Sequence, residues 1–282
     1  MSNLGSRFLT ALVAAPILLG LLFMLPWFAW GAFAGLAMVV ACLEYFGLTH
    51  GEDRLAKWLG TAVTVGLYAL MVSTDFGARW GVGWVVAAMA AVVPFALLYT
   101  LFRPLDQRTA MLRMTSLAMA PMYLGLGFAA NTALARVHDE MATRRVGGGL
   151  VLFSLMVAWL SDTGGYFAGK SIGGPKLYAT VSPNKTWSGA IGGLFGSCVG
   201  ALLAHFWFLP ELPLGRGLVA ALVAGALGQL GDLCESLMKR SVGVKDSGGI
   251  LPGHGGILDR VDALLFVSLA LYGLQRLGWL VP

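Results

Sequence analysis

The sequence predicts an all-α, polytopic integral membrane protein of about nine transmembrane helices, and three observations predict it. Of the 282 residues, 57% are hydrophobic and only 12% are charged. That is about half the charge a water-facing surface of this size carries. Mean hydropathy is +0.77. Apolar runs of roughly 20 residues, the length that crosses a bilayer's hydrocarbon core, recur along the whole chain. One large soluble core is thereby excluded. The net charge of +5 does not point to nucleic acid, because basic residues in such a chain report loop orientation and anionic head groups.

The candidate spans are Phe8–Leu25, Trp27–Leu48, Lys57–Ser73, Gly81–Leu101, Met114–Leu134, Gly149–Gly169, Ser188–Leu209, Leu218–Met238 and Val261–Leu280. Pro26 separates the first two as a tight hairpin. The first run has no small-residue cleavage site before a polar segment, so it reads as a retained helix rather than a signal peptide. The fifth carries Pro121, Asn131 and several glycines, which suggest a kinked or partly interfacial helix. With the N-terminus inside, the inner loops hold Arg7, Arg54, Lys57, Arg103, Arg108, Arg113, Lys170, Lys176, Lys185, Lys239, Arg240, Lys245 and Arg260. The outer loops then keep only Arg79, Arg136, Arg144, Arg145, Arg216 and Arg276. This bias places the N-terminus in the cytoplasm and, with an odd helix count, the C-terminus outside. The chain reads as a single membrane domain over 1–282, with a helical scaffold in 1–148 and the polar chemistry in 149–282. Cys42, Cys198 and Cys234 lack metal-ligand spacing and read as small apolar residues. Glycines at Gly189, Gly193, Gly196 and Gly200 read as helix-packing positions.

Two inner loops stand out against this apolar background. The first follows the sixth span, from Ser161-Asp162 through Tyr166 and Lys170 to Ser182-Pro-Asn-Lys185-Thr-Trp187. The second follows the eighth span, from Asp232 through Lys239-Arg240, Lys245-Asp246 and Pro252-Gly-His254-Gly255-Gly256 to Asp259-Arg260-Val-Asp262. Asp232, Ser236 and Lys239 fall on one helical face, and a carboxylate inside a span is costly unless it faces a polar cavity. A snorkelling lysine would explain Lys239 but not Asp232. Asp259 and Asp262 share the first turn of the ninth span. There they either complement the helix N-terminus or join Asp232 in a carboxylate cluster suited to a hard divalent cation. The flanking cations Lys239, Arg240 and Lys245 suggest phosphate chemistry. The glycine loop either turns its amides towards an anion or is a plain turn, with His254 as proton carrier, phosphate donor or brace. Asp162, with Tyr166 at i+4, reads as a wall of the same cavity or as a structural hydrogen bond. Ser182 and Lys185 are candidate phosphate contacts, and Trp187 is an interface anchor. Glu44, inside the second span, is a remaining polar oddity with two readings, cavity lining or a bond to another helix.

The stretch from Ser236 to Asp262 resembles the signature of the phosphatidate cytidylyltransferase (CDP-diacylglycerol synthase) family: a serine, Lys-Arg, Lys-Asp, Pro-Gly-His-Gly-Gly and Asp-Arg-x-Asp. Asp162-x-x-x-Tyr166-x-x-Gly169 and Ser182-Pro-x-Lys185-Thr-Trp-x-Gly189 are similar to it as well. Asn184 and Ser188 depart from the family's usual Lys and Glu. The resemblance covers roughly Ala158 to Val267. It implies CTP and phosphatidate as substrates, CDP-diacylglycerol and pyrophosphate as products, and a membrane enzyme of phospholipid biosynthesis, in the inner membrane of a bacterium. It implies Mg²⁺ with K⁺ assisting, metal ligation by Asp232, Asp259 and Asp262, a homodimer, and a polar cavity open to the cytoplasm. Lys239 joins the catalytic group. Ser182, Lys185, Ser236, Arg240, Lys245, Asp246, His254, Gly255, Gly256, Arg260, Asp162 and Tyr166 are the expected substrate and phosphate contacts. No nucleophilic side chain is needed, since the lipid phosphate supplies the attacking oxygen.

Rival readings predict different outcomes, and a close relative of the family could also make a CDP-linked lipid from an ether-lipid phosphate. A CTP-dependent lipid kinase would move the γ-phosphate and release CDP. A transporter would use Asp162 and Asp232 as ion sites, but the charged groups gather at one membrane face and no paired broken helices suggest an inverted repeat.

Overall fold

In the computed structural model, the described residues are 15–51, 53–73, 81–103, 106–137, 144–250 and 255–282. Residues 15–23 are helical and form α1. There follow α2 (Trp27–His50), α3 (Arg54–Ser73), α4 (Gly81–Leu101), α5 (Ala110–Ala120), α6 (Leu126–Ala135), α7 (Arg144–Ser171), α8 (Trp187–Leu203), α9 (Leu214–Ser241) and α10 (Leu258–Arg276). Seven helical segments among the described residues are long and apolar enough to cross a membrane, rather than the nine spans expected from sequence. Residues 8–14 of the first expected span lie outside the described residues, and the described part is the short helix α1. The ninth corresponds to α10, which carries Asp259, Arg260 and Asp262 at its start and is not one of the seven. The expected kink in the fifth span is present. Pro121 cannot donate a backbone N–H, and α5 passes into α6 through one π-helical turn, Pro121–Gly125, in which Leu126 N–H reaches back to the Pro121 carbonyl.

The sequence reading contained no strands, yet a small antiparallel hairpin joins α7 to α8. Its strands are β1 (Lys176–Tyr178) and β2 (Ser182–Thr186), with Lys176 opposite Thr186 and Tyr178 opposite Ser182. α7 ends at Gly173 and Gly174, which both take positive φ (66° and 104°), the backbone state that glycine reaches without steric cost. α8 starts on Thr186, whose Oγ1 accepts the Gly189 N–H at 3.1 Å as an N-cap.

The chain divides into two units. The first comprises residues 1–30, 130–245 and 260–282. Its core packs Leu150, Val151, Phe153 and Val157 of α7 with Ala201, Ala220, Ala221, Ala224, Val267 and Leu271. Glycines set its helix spacing. A Cβ on Gly196 would run into the Leu160 carbonyl, one on Gly164 into the Gly192 carbonyl, and one on Gly192 into Ala168. α7 and α8 therefore touch backbone to backbone, as the glycine spacing in Gly189–Gly200 suggests. The α9–α10 contact is similar, since a Cβ on Gly231 would meet the Phe266 ring and the Asp262 carbonyl. Asn131 ties this core with polar bonds. Its amide donates to Ser154 Oγ (3.2 Å) and Ser268 Oγ (2.9 Å), and its carbonyl accepts from Trp30 Nε1 (2.9 Å). Each group thus keeps a partner where water is absent.

The second unit comprises residues 31–129 and 246–259. Tyr68 Oη donates to the Gly31 carbonyl at 2.7 Å, and Gly60 leaves room for the Phe46 ring. Beside the start of α3, the buried Asp53 carboxylate gathers Arg103 Nη2 (3.2 Å), Arg113 Nη2 (3.2 Å), Tyr99 Oη (3.2 Å) and the Ala56 amide (3.2 Å). Burial alone would push this carboxyl up. Hydrogen bonds from Arg103, Ala56 and Tyr99, with the charge of Arg103, outweigh it and hold Asp53 below its ordinary range.

The packing makes three substitutions informative. Gly196→Val should lower the stability of detergent-solubilised protein by about 3 kcal/mol, read by thermal unfolding. Gly66→Ala, which meets nothing within 4 Å, should raise stability by up to about 1 kcal/mol. Asp53→Asn leaves the buried Arg113 guanidinium without its counter-charge and should cost about 3–5 kcal/mol near neutral pH. Because the folded carboxyl is depressed, this contribution is present above the unfolded value of about 3.9. It is lost as pH falls through the folded value. The difference between wild type and Asp53→Asn, measured as unfolding midpoints against pH, should therefore close in acid.

Candidate active site

The first unit holds a cavity of about 500 Å³ walled by α7, the hairpin, α8 and α9. α7 contributes Asp162, Tyr166 and Lys170, β2 contributes Lys185, and α9 contributes Gln229 and Asp232. Gly165, Gly169 and Gly189 line it where α7 and α8 converge. The backbone contact of those two helices thus brings the two polar sequence segments to one place.

Lys185 Nζ lies 2.5 Å from Asp232 Oδ2, and both side chains are about one-quarter to one-third exposed. Ser236 Oγ donates to Asp232 Oδ1 at 3.4 Å, one helical turn along α9. Lys170 Nζ stands 5.5 Å from the centre of the Tyr166 ring. Asp262 lies on α10, where that helix meets Gly231, and its carboxylate accepts the Ala263 N–H at 2.8 Å. Asp232, Glu235 and Asp162 all lie within electrostatic reach of it. Asp162, Asp232, Lys185, Ser236 and Asp262 therefore belong to one region of the first unit. Asp162 is accessible rather than locked in an interhelical hydrogen bond.

Other expected site residues are placed differently. Lys239 is nearly buried and forms an ion pair with Glu235 one turn earlier on α9. Arg240 donates to the Val244 carbonyl (2.9 Å) and the Val181 carbonyl (3.4 Å), so it ties the end of α9 to the hairpin. Ser182 is the first residue of β2. Lys245, Asp246 and Arg260 are exposed. His254 lies outside the described residues.

Asp259 belongs to the second unit, where its Oδ2 accepts the amides of Ser247 (3.0 Å) and Gly256 (2.8 Å). Gly255 takes φ +78°, and a Cβ there would sit 2.8 Å from Asp259 Oδ2. The glycine-loop amides read from sequence as anion donors include that of Gly256, whose partner is a carboxylate of the chain itself.

Two residues went unassigned in the sequence. Glu235 is fully buried. Its signal is a second carboxylate three residues after Asp232 in an otherwise apolar helix. Glu44 is buried and accepts the amides of Ile257 (3.1 Å) and Leu258 (2.8 Å), and no spacing rule links positions so distant in sequence. The two departures from the family pattern also find places. Asn184 lines the cavity, and the Ser188 hydroxyl donates to the Gly173 carbonyl at the end of α7.

Among the described residues, no three His, Cys, Asp or Glu side chains converge tightly enough to form a metal cage. The donor set of the first unit is nevertheless of the hard-oxygen kind. Mg²⁺ binds through one or two carboxylates together with substrate phosphates rather than in an all-protein cage. Asp232 and Asp262 fit that mode.

Residues 5–277 match the family model described as the cytidylyltransferase family. The chain is 36% identical over 280 residues to the phosphatidate cytidylyltransferase of Brucella suis, covering 96% of this chain and 93% of that protein. It is 34% identical over 270 residues to the phosphatidate cytidylyltransferase of Staphylococcus saprophyticus, covering 93% and 95%. Its identity to the Staphylococcus aureus protein of the same name is 35% over 267 residues. With the family match spanning nearly the whole chain and full-length relatives above 30% identity, the chain belongs to the cytidylyltransferase family.

Proposed function

We infer that this protein is a CTP:phosphatidate cytidylyltransferase that makes CDP-diacylglycerol and pyrophosphate within a membrane. The observation that carries the reading is the charged cavity in which Lys185 meets Asp232 beside Asp162, in a family whose relatives bear that name. A phosphate oxygen of phosphatidate attacks the α-phosphorus of CTP, a new P–O bond forms, and the bond from the α-phosphorus to the bridging oxygen breaks. Pyrophosphate takes the electron pair. The protein's task is to hold two anions in line and offset the developing charge.

The chain's own groups suit that task. Lys185, on the short hairpin strand, is held by Asp232 and can exchange that carboxylate for a phosphate oxygen. Ser236 orients Asp232, and Glu235 pairs with Lys239 one turn along α9. Tyr166 and Lys170 form the cavity wall on the α7 side. Mg²⁺ would be held by Asp232 and Asp262, where it would neutralise phosphate charge. Asp259, the third carboxylate expected on the metal, has its oxygens on the Ser247 and Gly256 amides, so its proposed part is to shape the loop ahead of α10. The Lys and Arg distribution supports a cytoplasmic N-terminus and a site facing the cytoplasm, in a cell's inner membrane.

Purified protein in mixed micelles with phosphatidate, Mg²⁺ and CTP labelled at the α-phosphate should move label into lipid, while γ-labelled CTP should not. Lipid labelled from the γ-position would instead establish a kinase. Asp232→Asn should lower kcat roughly 100-fold or more. Lys185→Met, which removes a cation and leaves Asp232 without its counter-charge, should raise KM for CTP and lower kcat/KM by roughly 10- to 100-fold. A Lys185→Met enzyme with wild-type KM would remove this residue from the phosphate contacts.

A further inference from the structure

The second unit contains a buried carboxylate that the reaction does not use. Glu44 lies in the C-terminal half of the apolar helix α2 and is 7% exposed. A carboxylate there is costly unless its oxygens are filled. Its Oε1 accepts the Ile257 amide at 3.1 Å, and its Oε2 accepts the Leu258 amide at 2.8 Å and the Ser247 hydroxyl at 3.5 Å. The loop is shaped to admit it. A Cβ on Gly248 would lie 2.6 Å from Oε1, and one on Gly256 would lie 2.5 Å from Oε2.

These donors are the ones that a helix start leaves without intrahelical partners. Ile257 and Leu258 open α10, and Glu44 caps them from a segment more than 200 residues earlier in the chain. The positive end of the α10 dipole adds to the attraction. Asp259 completes the arrangement from within the helix through the Gly256 and Ser247 amides. Two carboxylates thus hold one loop from both sides.

We propose that Glu44 is a positioning residue for nucleotidyl transfer: it locks Ser247, the Gly256–Leu258 turn and the start of α10 in one geometry. This inference rests on the cytidylyltransferase reading given above. Glu44 touches no substrate. It acts through the loop, and so through the direction in which Asp259 leaves the first turn of α10, with Asp262 one turn further along the same helix.

The chemistry supplies a sharp test, because both oxygens of Glu44 face donors. Glutamine has the same shape, but one of its two terminal atoms is an NH₂ donor that would face an N–H. Glu44→Gln therefore preserves packing and breaks the cap. We expect Glu44→Gln to lower kcat by roughly 10- to 100-fold, with KM for CTP changed less than about threefold. Hydrogen exchange at the amides of 256–258 should quicken by a similar roughly 10- to 100-fold factor. Met38→Ala, a cavity in the same helix away from the loop, serves as the packing control; Met38 is fully buried. It should lower the unfolding temperature while leaving kcat of the folded enzyme and exchange at 256–258 as in wild type. Wild-type kcat in Glu44→Gln, or unchanged exchange at those amides, would overturn the proposal. So would a fall in kcat for Met38→Ala equal to that of Glu44→Gln, since the effect would then be general loosening. Wild-type protein that transfers no CMP would refute the functional reading, whereas the exchange measurement tests the cap on its own.

Discussion

The contact on which the site depends is the backbone approach of α7 to α8. In lipid no hydrophobic force draws two helices together, and association rests on close van der Waals fit and polar bonds. Gly164, Gly192 and Gly196 let carbonyls and α-carbons occupy the space where side chains would stand. The hairpin that joins the two helices is then short and constrained, and it delivers Lys185 to Asp232. Asp162, on α7, lines the same space, with Gly164 two residues on at the close approach to α8. The chemistry is polar, but its placement is decided by the smallest apolar residues in the chain.

A second constraint follows from the surroundings. Charges buried in a membrane protein need partners, and three of the buried ones here find them in different ways. Asp53 takes two arginines and a tyrosine, Lys239 takes Glu235, and Glu44 takes backbone amides. The three arrangements differ in consequence. An ion pair between side chains, such as Lys185 with Asp232, can part without moving the backbone. A carboxylate set on backbone amides cannot be exchanged without moving the backbone, so it holds shape rather than binding transiently.

Much of this was legible in the sequence. The apolar runs gave most of the helices, Pro121 marked the break between α5 and α6, and the glycines of Gly189–Gly200 marked a packing face without naming the helix it meets. The alignment of Asp232, Ser236 and Lys239 came from helical periodicity, which α9 obeys through Ser241. What stayed hidden was of two kinds. The hairpin at Lys176–Thr186 is too short and too polar for strand periodicity to register. The partners of Glu44 and Asp259 depend on which distant segments fold together. Asp259 and Asp262, three residues apart and read as one pair, fall in different units, with Asp259 turned to its own loop. Spacing along a helix tells which way side chains point and is silent about what waits there.

The interleaving of the two units bears on how the protein is made. Neither is a continuous piece of chain: the first is assembled from three stretches and the second from two. A ribosome that has released residues 31–129 has delivered most of the second unit, but not the 246–259 segment that satisfies Glu44. During that interval a buried carboxylate waits in an apolar helix for donors still to be synthesised. Completion of the second unit therefore waits on chain made long after most of it. The late segment closes the early unit just before the last helix emerges, so a chain that stops short of it leaves both units unfinished.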